Sequence, residues 1–320
     1  NKGKDVIINV MNKNSNHKLI QFYGAQLLNN IVKKKEIEQN DQRTIDDTDE
    51  ITISKMKNIF SGIDYKYDDY QRIVYLKIDC IYINNYHNDN GYIIEFFDHV
   101  SSLKNLKELI LPSYKIEKNV FKTYSKDMIK NIERHILKSI SELENLEILT
   151  IHVHTAETPF NLYFKKLKSL TIYICNNSDQ RIPDFVFKHS SLEYLEIHSV
   201  GVEPSFPFIF TSLFISDSIE KLYNLVSLKI YLLIRHKPIV LPTTLGRITK
   251  LETLIISDII SDSNYYPCKY SLGIKIPDTI GNLKNLKHFE TNIPGMTNTI
   301  PKTIIKCSKI ETFKLFPSPD

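Results

Sequence analysis

The chain has no tryptophan, only four cysteines and only nine glycines in 320 residues. Cys80, Cys175, Cys268 and Cys307 are far apart and form no CxxC pair, which argues against a disulfide framework and a zinc site and fits a reducing compartment. The glycines fall into no phosphate-cradling pattern: GxGxxG and GxxxxGK[ST] are missing, as are GxSxG and HExxH. No apolar run approaches the roughly 20 residues a membrane span requires, and the N-terminus carries no signal-peptide core. The chain begins at Asn1 instead of Met, which leaves room for a removed leader or an upstream domain. Strong charge of one sign is missing too. Lys and Arg number 41 against 37 Asp and Glu, a net +4 with signs interspersed, which marks no polyanion-binding surface and speaks against nucleic acid as a partner. The sequon Asn176-Asn177-Ser178 is expected by chance in so asparagine-rich a chain.

What is present is a repeat. LKNLKELIL at 103–111, LENLEILTI at 143–151 and LKNLKHFET at 283–291 are copies of one pattern, LxxLxxLxL in its apolar positions. It recurs as Phe164-Leu167-Leu170-Ile172, Ile219-Leu222-Leu225-Leu228-Ile230 and Leu245-Ile248-Leu251-Leu254-Ile256. Weaker copies are Ile73-Leu76-Ile78, Leu192-Leu195-Ile197 and Ile304-Cys307-Ile310-Phe313-Leu315, making nine candidate units at spacings of 21 to 40 residues. Apolar residues at i and i+2 lie on one face of a strand, so each unit predicts one short strand. A lone strand cannot bury that face. Stacked units can, by joining their faces into one core and pairing the strands in a parallel sheet, with the intervening segments as an outer wall.

The pattern over residues 70–320 resembles the leucine-rich-repeat (LRR) family. Several units place IPxxI before the leucines: Ile182-Pro183-Val186, Leu241-Pro242-Leu245, Ile276-Pro277-Ile280 and Ile300-Pro301-Ile304. IPDTIGNLKNLKHFE is similar to the plant-type and SHOC2-like subclasses. Proline fixes φ and lacks an N–H, which suits a convex turn that donates no sheet bond. The resemblance implies an α/β horseshoe solenoid of about nine repeats with a parallel concave sheet that contacts proteins. The chain departs from the family where an Asn usually follows the strand: those places hold Tyr114, His154, Cys175, Val200, Leu233, Ile259 and Pro294. Irregular curvature and lower local stability are the expectation.

Residues 1–69 lack the repeat and carry two helical patterns, around Ile20, Tyr23, Leu27, Leu28 and Ile31 and around Ile53, Met56, Ile59 and Phe60, separated by the acidic stretch Glu38 to Glu50. They read as a helical N-terminal cap for the domain 70–320, because a solenoid needs a terminal unit with a polar outer face. A truncated F-box-like adaptor segment is the alternative. The sequence stops just after Leu315 with no C-terminal cap, which suggests a longer native protein or a fragment.

Counting along the strands gives the residues that project onto the concave face. The strand-centre column is Lys77, Ile110, Thr150, Thr171, Glu196, Lys229, Ile255, Glu290 and Lys314; two residues on come His152, Tyr173, His198 and Tyr231 on consecutive strands. At about 4.8 Å between strands these four rings predict a ladder, with Tyr194 in the preceding column. Rigid aromatics with polar tips are typical interface anchors, so His152, Tyr173, Tyr194, Glu196, His198, Lys229 and Tyr231 form the candidate protein-binding set. Tyr and His are also ordinary strand residues on a solvated face. His152 and His154 are two apart with His198 on a nearby strand, but the imidazole pair lacks a third convincing metal ligand, and Cys175 with His152 or His198 makes an unconvincing thiol and base. The expectation is a non-enzymatic, cytoplasmic recognition or scaffold module that binds a protein partner in signalling, with no cofactor and no metal. Its rivals are a ubiquitin-ligase substrate adaptor and a secreted receptor or adhesion ectodomain.

Overall fold

The computed structural model describes residues 9–13, 49–60, 62–79, 81–83, 91–111, 114–116, 126–153, 162–175, 181–200, 214–232, 239–258, 274–292 and 300–315. The chain divides into two compact units, Asn1–Thr48 and Asp49–Asp320. In the first unit residues 9–13 are helical, and the helical pattern around Ile20 and Leu27 lies outside the described residues. The second unit carries the repeats.

Its strands are β1 (Ile63–Tyr67), β2 (Ile73–Ile78), β3 (Ile81–Ile83), β4 (Glu108–Ile110), β5 (Tyr114–Ile116), β6 (Ile148–Val153), β7 (Ser169–Cys175), β8 (Tyr194–Val200), β9 (Ser227–Leu232), β10 (Ile239–Val240), β11 (Thr253–Asp258), β12 (Ile274–Lys275), β13 (His288–Thr291) and β14 (Thr312–Leu315). Ten of them form one sheet in the order β1-β2-β4-β6-β7-β8-β9-β11-β13-β14. From β2 onward every neighbour pair is parallel, and each strand comes from one LxL segment. The first leucines of those segments stand in one row. Leu76, Leu109, Leu149, Leu170, Leu195, Leu228, Leu254 and Phe289 are all buried within a single hydrophobic cluster. At roughly 1.5–3 kcal/mol for each such side chain, this row is the main cohesive force between units. Phe313, last in the row, is 43% exposed.

The wall behind the sheet changes character along the chain. The early units carry α-helices: α1 (Asp49–Ile59), α2 (Gly91–Ser102) and α3 (Lys126–Ser141). Helix α2 buries Ile93, Phe96, Phe97 and Val100, a stripe at helical spacing. The later units carry five-residue 3₁₀ turns, among them Asp184–Lys188, Thr243–Arg247, Asp278–Asn282 and Lys302–Lys306. Each of these four follows the predicted proline, Pro183, Pro242, Pro277 or Pro301, whose φ lies between −57° and −75°. Short parallel pairings outside the main sheet, β3 with β5 and β10 with β12, went unforeseen.

The start of the second unit also differs from a purely helical expectation. Helix α1 matches the pattern around Ile53 and Met56, which are buried in the common core. Residues 63–67, however, form β1, which pairs antiparallel with β2. Asp68 closes the tight turn by accepting the N–H groups of Tyr70 and Arg72 at 2.9 Å each.

Candidate functional site

The sheet has one face under the helices and turns and one open face. Side chains alternate between them, so the open face is built from the residues on either side of the buried leucine and isoleucine rows. The pairing register aligns Lys77, Ile110, Thr150, Thr171, Glu196, Lys229, Ile255, Glu290 and Lys314 as one column. A second column runs through His152, Tyr173, His198, Tyr231 and Ser257.

The four rings of that second column are stacked. Ring centroids are 4.3 Å apart for His152 and Tyr173, 4.4 Å for Tyr173 and His198, and 4.8 Å for His198 and Tyr231, with interplanar angles of 7°, 15° and 20°. Strand spacing sets these distances, so the ladder follows directly from the register. Because neighbouring rings cover one another's faces, the column presents mainly ring edges to the open side. Burial, and after it the negative charge of Glu196, pushes the Tyr173 and Tyr231 phenols up from their usual 10, with Glu290 adding to the effect at Tyr231. They therefore remain neutral hydrogen-bonding groups near pH 7. Glu196 is the electrostatic centre: its Oε1 lies 2.7 Å from His198 Nε2 and its Oε2 lies 3.8 Å from Lys229 Nζ. Tyr194 is 50% exposed and sits between Ser169 and Ser227 in its own column. All seven predicted residues thus fall on three adjacent columns of β6 to β9.

Two further rows lie outside the predicted set. Backbone N–H···O=C bonds of 2.8–2.9 Å align Val74, Lys107, Glu147, Lys168, Glu193, Val226, Glu252, Lys287 and Glu311 along one rim of the open face. From Lys107 the charges alternate with a single interruption. Lys168 bonds Glu147 at 2.8 Å and Lys287 bonds Glu252 at 2.7 Å. The Lys168 bond holds the Glu147 carboxyl below its ordinary range, and the Glu252 bond raises the Lys287 ammonium. Beside this rim runs an amide ladder. Asn145, Asn224 and Asn285 donate from Nδ2 to the carbonyls of Lys104, Ser190 and Thr249 at 2.8, 2.8 and 2.9 Å. Their Oδ1 atoms accept from Lys166, Lys250 and Lys309 at 2.7 Å each. The sequence signal for this ladder is the Asn of LxNL, which precedes the strand, whereas the family's usual Asn follows it. Of the seven places expected to hold Asn there, Tyr114 begins β5, Cys175 and Val200 end β7 and β8, and His154, Leu233, Ile259 and Pro294 lie outside the described residues.

The repeated strand, buried leucine row and proline-led turn decide the architecture. The fold is an α/β leucine-rich-repeat solenoid, whose open face is the one such solenoids make concave. No model of a known protein family matches the sequence, and no curated protein matches it. Solved structures do. An internalin, InlF of Listeria monocytogenes, is 14% identical over 72% of this chain and 72% of its own, with a TM-score of 0.37. Internalin C2 of the same organism is 15% identical over 76% and 80%, TM-score 0.37. The Arabidopsis receptor kinase HAESA, solved with the peptide hormone IDA and the co-receptor SERK1, is 17% identical over 85% of this chain and 46% of its own, TM-score 0.43. At these identities the likeness concerns the fold alone. Among the described residues no group of three His, Cys, Asp or Glu side chains is placed to hold a metal ion, and no helix is long and apolar enough to cross a membrane.

Proposed function

We propose that the concave LRR face binds a protein partner, with the ring ladder His152, Tyr173, His198 and Tyr231 as its anchor and Tyr194, Glu196 and Lys229 as the polar surround. The observation that carries this reading is the ladder's stacking at 4.3–4.8 Å. Aromatic pairs of this kind contribute about 0.5–1.5 kcal/mol each and hold the rings in place before a partner arrives. Docking then costs little side-chain entropy, which is the usual reason a few aromatic residues dominate an interface. In this reading the protein is a scaffold or signalling adaptor of the cytoplasm, of the plant-type or SHOC2-like kind. The proline-led 3₁₀ turns and the small outer pairing of β10 with β12 support that subclass. Residues 49–67 act as the cap of the first repeat, with β1 closing the free edge of β2.

The test is affinity capture from native cells with the full chain and with Tyr173→Ala and Tyr231→Ala. A specific partner should be lost or bind at least about tenfold more weakly to each variant, the loss expected for an interface anchor, while circular dichroism and Tm stay close to wild type. Unchanged capture by both variants refutes the ladder as anchor.

A further inference from the structure

Two hollows flank the amide ladder where the chain leads into β8 and β9. The first, of about 540 Å³, is lined by Lys166, Lys168 and Lys250 and by Glu147 and Glu193. The second, of about 590 Å³, is lined by Lys188, Lys221 and Arg247 and by Glu220. Consecutive residues, Ser190-Ser191 and Tyr223-Asn224, divide the two, and Asn224 Nδ2 ties the divide together by donating to the Ser190 carbonyl at 2.8 Å. Six cations thus stand against three carboxylates on one patch, whereas the whole chain sets 41 against 37.

Depth separates the charges further. All six cations are exposed, and all three carboxylates are half-buried. Glu147 is held by Lys168 at 2.8 Å and Glu220 by Arg247. Lys166 and Lys250 end instead on neutral oxygens, the Oδ1 atoms of Asn145 and Asn224, at 2.7 Å each. A molecule approaching this flank therefore meets cations before carboxylates, and two of those cations are bonded only to amides. We propose that the flank docks an extended acidic segment of a protein, laid across the units over Ser190 and Ser191, with one carboxylate at Lys166 and another at Lys250.

The spacing fits such a segment. Lys166 and Lys250 each lean back by one unit, onto Asn145 and Asn224, so their ammonium groups stay three strand spacings apart, about 14 Å. In an extended chain the side chains of residues i and i+4 share a face and stand about 13 Å apart. The residue midway between them passes close to Glu193 and has to be non-acidic. Short serines leave clearance for the segment's backbone, and the 55% exposed Tyr223 ring, beside buried Phe187, offers an apolar side chain a place to pack. A nucleic acid suits the patch less, because its backbone carries a phosphate at every step and those nearest Glu193 would meet like charge. The flank lies outside the ring ladder and stands or falls separately from it.

The experiment selects a random peptide library displayed on phage against the full chain at low salt and measures the enriched peptides by fluorescence anisotropy. Wild type should enrich peptides with Asp or Glu at two positions four apart and a non-acidic residue midway. Lys166→Glu and Lys250→Glu should each weaken those peptides at least about tenfold, since each removes an attraction and adds a repulsion. The milder Lys166→Gln and Lys250→Gln should each weaken them about threefold, the loss of one exposed ion pair, and they decide the matter where a charge reversal upsets the fold. Higher salt should weaken wild-type binding as well. Tyr173→Ala should leave the affinity unchanged; an equal loss there puts the peptides on the concave face and overturns the flank as their site. Enrichment without the acidic pair, no enrichment, or binding indifferent to all four lysine substitutions also overturns the proposal. A single-stranded oligodeoxynucleotide that needs both lysines and binds more tightly than the peptides overturns the acidic segment as occupant.

Discussion

Replacing Gly246 with alanine would add one methyl group where two consecutive 3₁₀ turns touch. The backbone at Gly246 is not in the left-handed region, so alanine suffers no conformational penalty there. Restricting the unfolded chain would by itself stabilise the variant by about 0.4–1 kcal/mol. The neighbouring turn works against that gain. A Cβ at Gly246 would collide with the Thr279 carbonyl oxygen and lie 2.7 Å from Thr279 Cβ, where carbon atoms normally keep about 3.5–4.0 Å. Thr279 cannot easily retreat, because its hydroxyl donates to the Thr243 carbonyl at 2.7 Å and the strands in front hold the units at a fixed spacing. Overpacking of this kind costs about 1–3 kcal/mol, so the clash outweighs the entropic gain by about 1–2 kcal/mol. Tm should fall by about 2–8 °C, and urea unfolding should show a lower midpoint with an unchanged slope. Gly281→Ala meets the Thr303 carbonyl oxygen at 2.5 Å. Thr303 and Ile304 are only half-buried in the outermost described turn, so that variant should lose less. A Gly246→Ala protein as stable as wild type, or less harmed than Gly281→Ala, refutes the account of how the turns stack.

His189 gives a pH prediction: burial pushes its imidazole below the usual 6.5, outweighing the nearby Val186 and Phe185 carbonyls that favour the charged form. The unfolded chain takes up a proton near that pH that the folded chain resists. Stability from this group is therefore complete above about pH 6.5 and is lost as pH falls below it, by at most about 1.4 kcal/mol per unit. Tm measured from pH 7.5 to 5 should decline more steeply for wild type than for His189→Gln, and parallel curves contradict the assignment. Asn224→Ala removes the donor to the Ser190 carbonyl and the acceptor for Lys250. It should cost about 0.5–1.5 kcal/mol by urea unfolding, whereas a neutral result means the amide ladder carries no stability.

The sheet was legible because its signal is redundant. Each LxL segment states the same alternation, and a single slip would turn Leu109, Leu149, Leu228 and Leu254 outward together. The concave columns followed by counting, and the stacking of His152, Tyr173, His198 and Tyr231 followed from the columns. What stayed hidden depended on polar residues in apolar places. His189 and Cys307 stand in the position that Leu103, Leu143, Leu222 and Leu283 occupy elsewhere, and all six are buried. His189 Nε2 accepts the Phe164 N–H at 2.9 Å, which puts the hydrogen of the neutral ring on Nδ1, where no hydrogen-bond partner is met among the described residues. The Cys307 thiol donates to the Ile280 carbonyl at 3.2 Å, and burial pushes it up from its ordinary range. A search tuned to leucine reads such units as weak copies. Strand β1 escaped for a different reason. Its sequence, IDYKY, is half polar, with Asp64 and Lys66 exposed, and nothing local distinguishes it from a loop until β2 is there to pair with.

The change from helix to 3₁₀ turn bears on how the sheet in front of it bends. Helices packed side by side, as α2 and α3 are, stand about 8–10 Å apart, while the strands they back are about 4.8 Å apart. Turns that approach as closely as those around Gly246 and Thr279 need far less room. Side-by-side helices thus ask for a longer outer arc per unit beside β4 and β6 than the turns ask for beside β11 and β13, a difference that would curl the sheet more tightly at its N-terminal end. The ring ladder on β6 to β9 therefore stands where the helical wall gives way to the 3₁₀ turns.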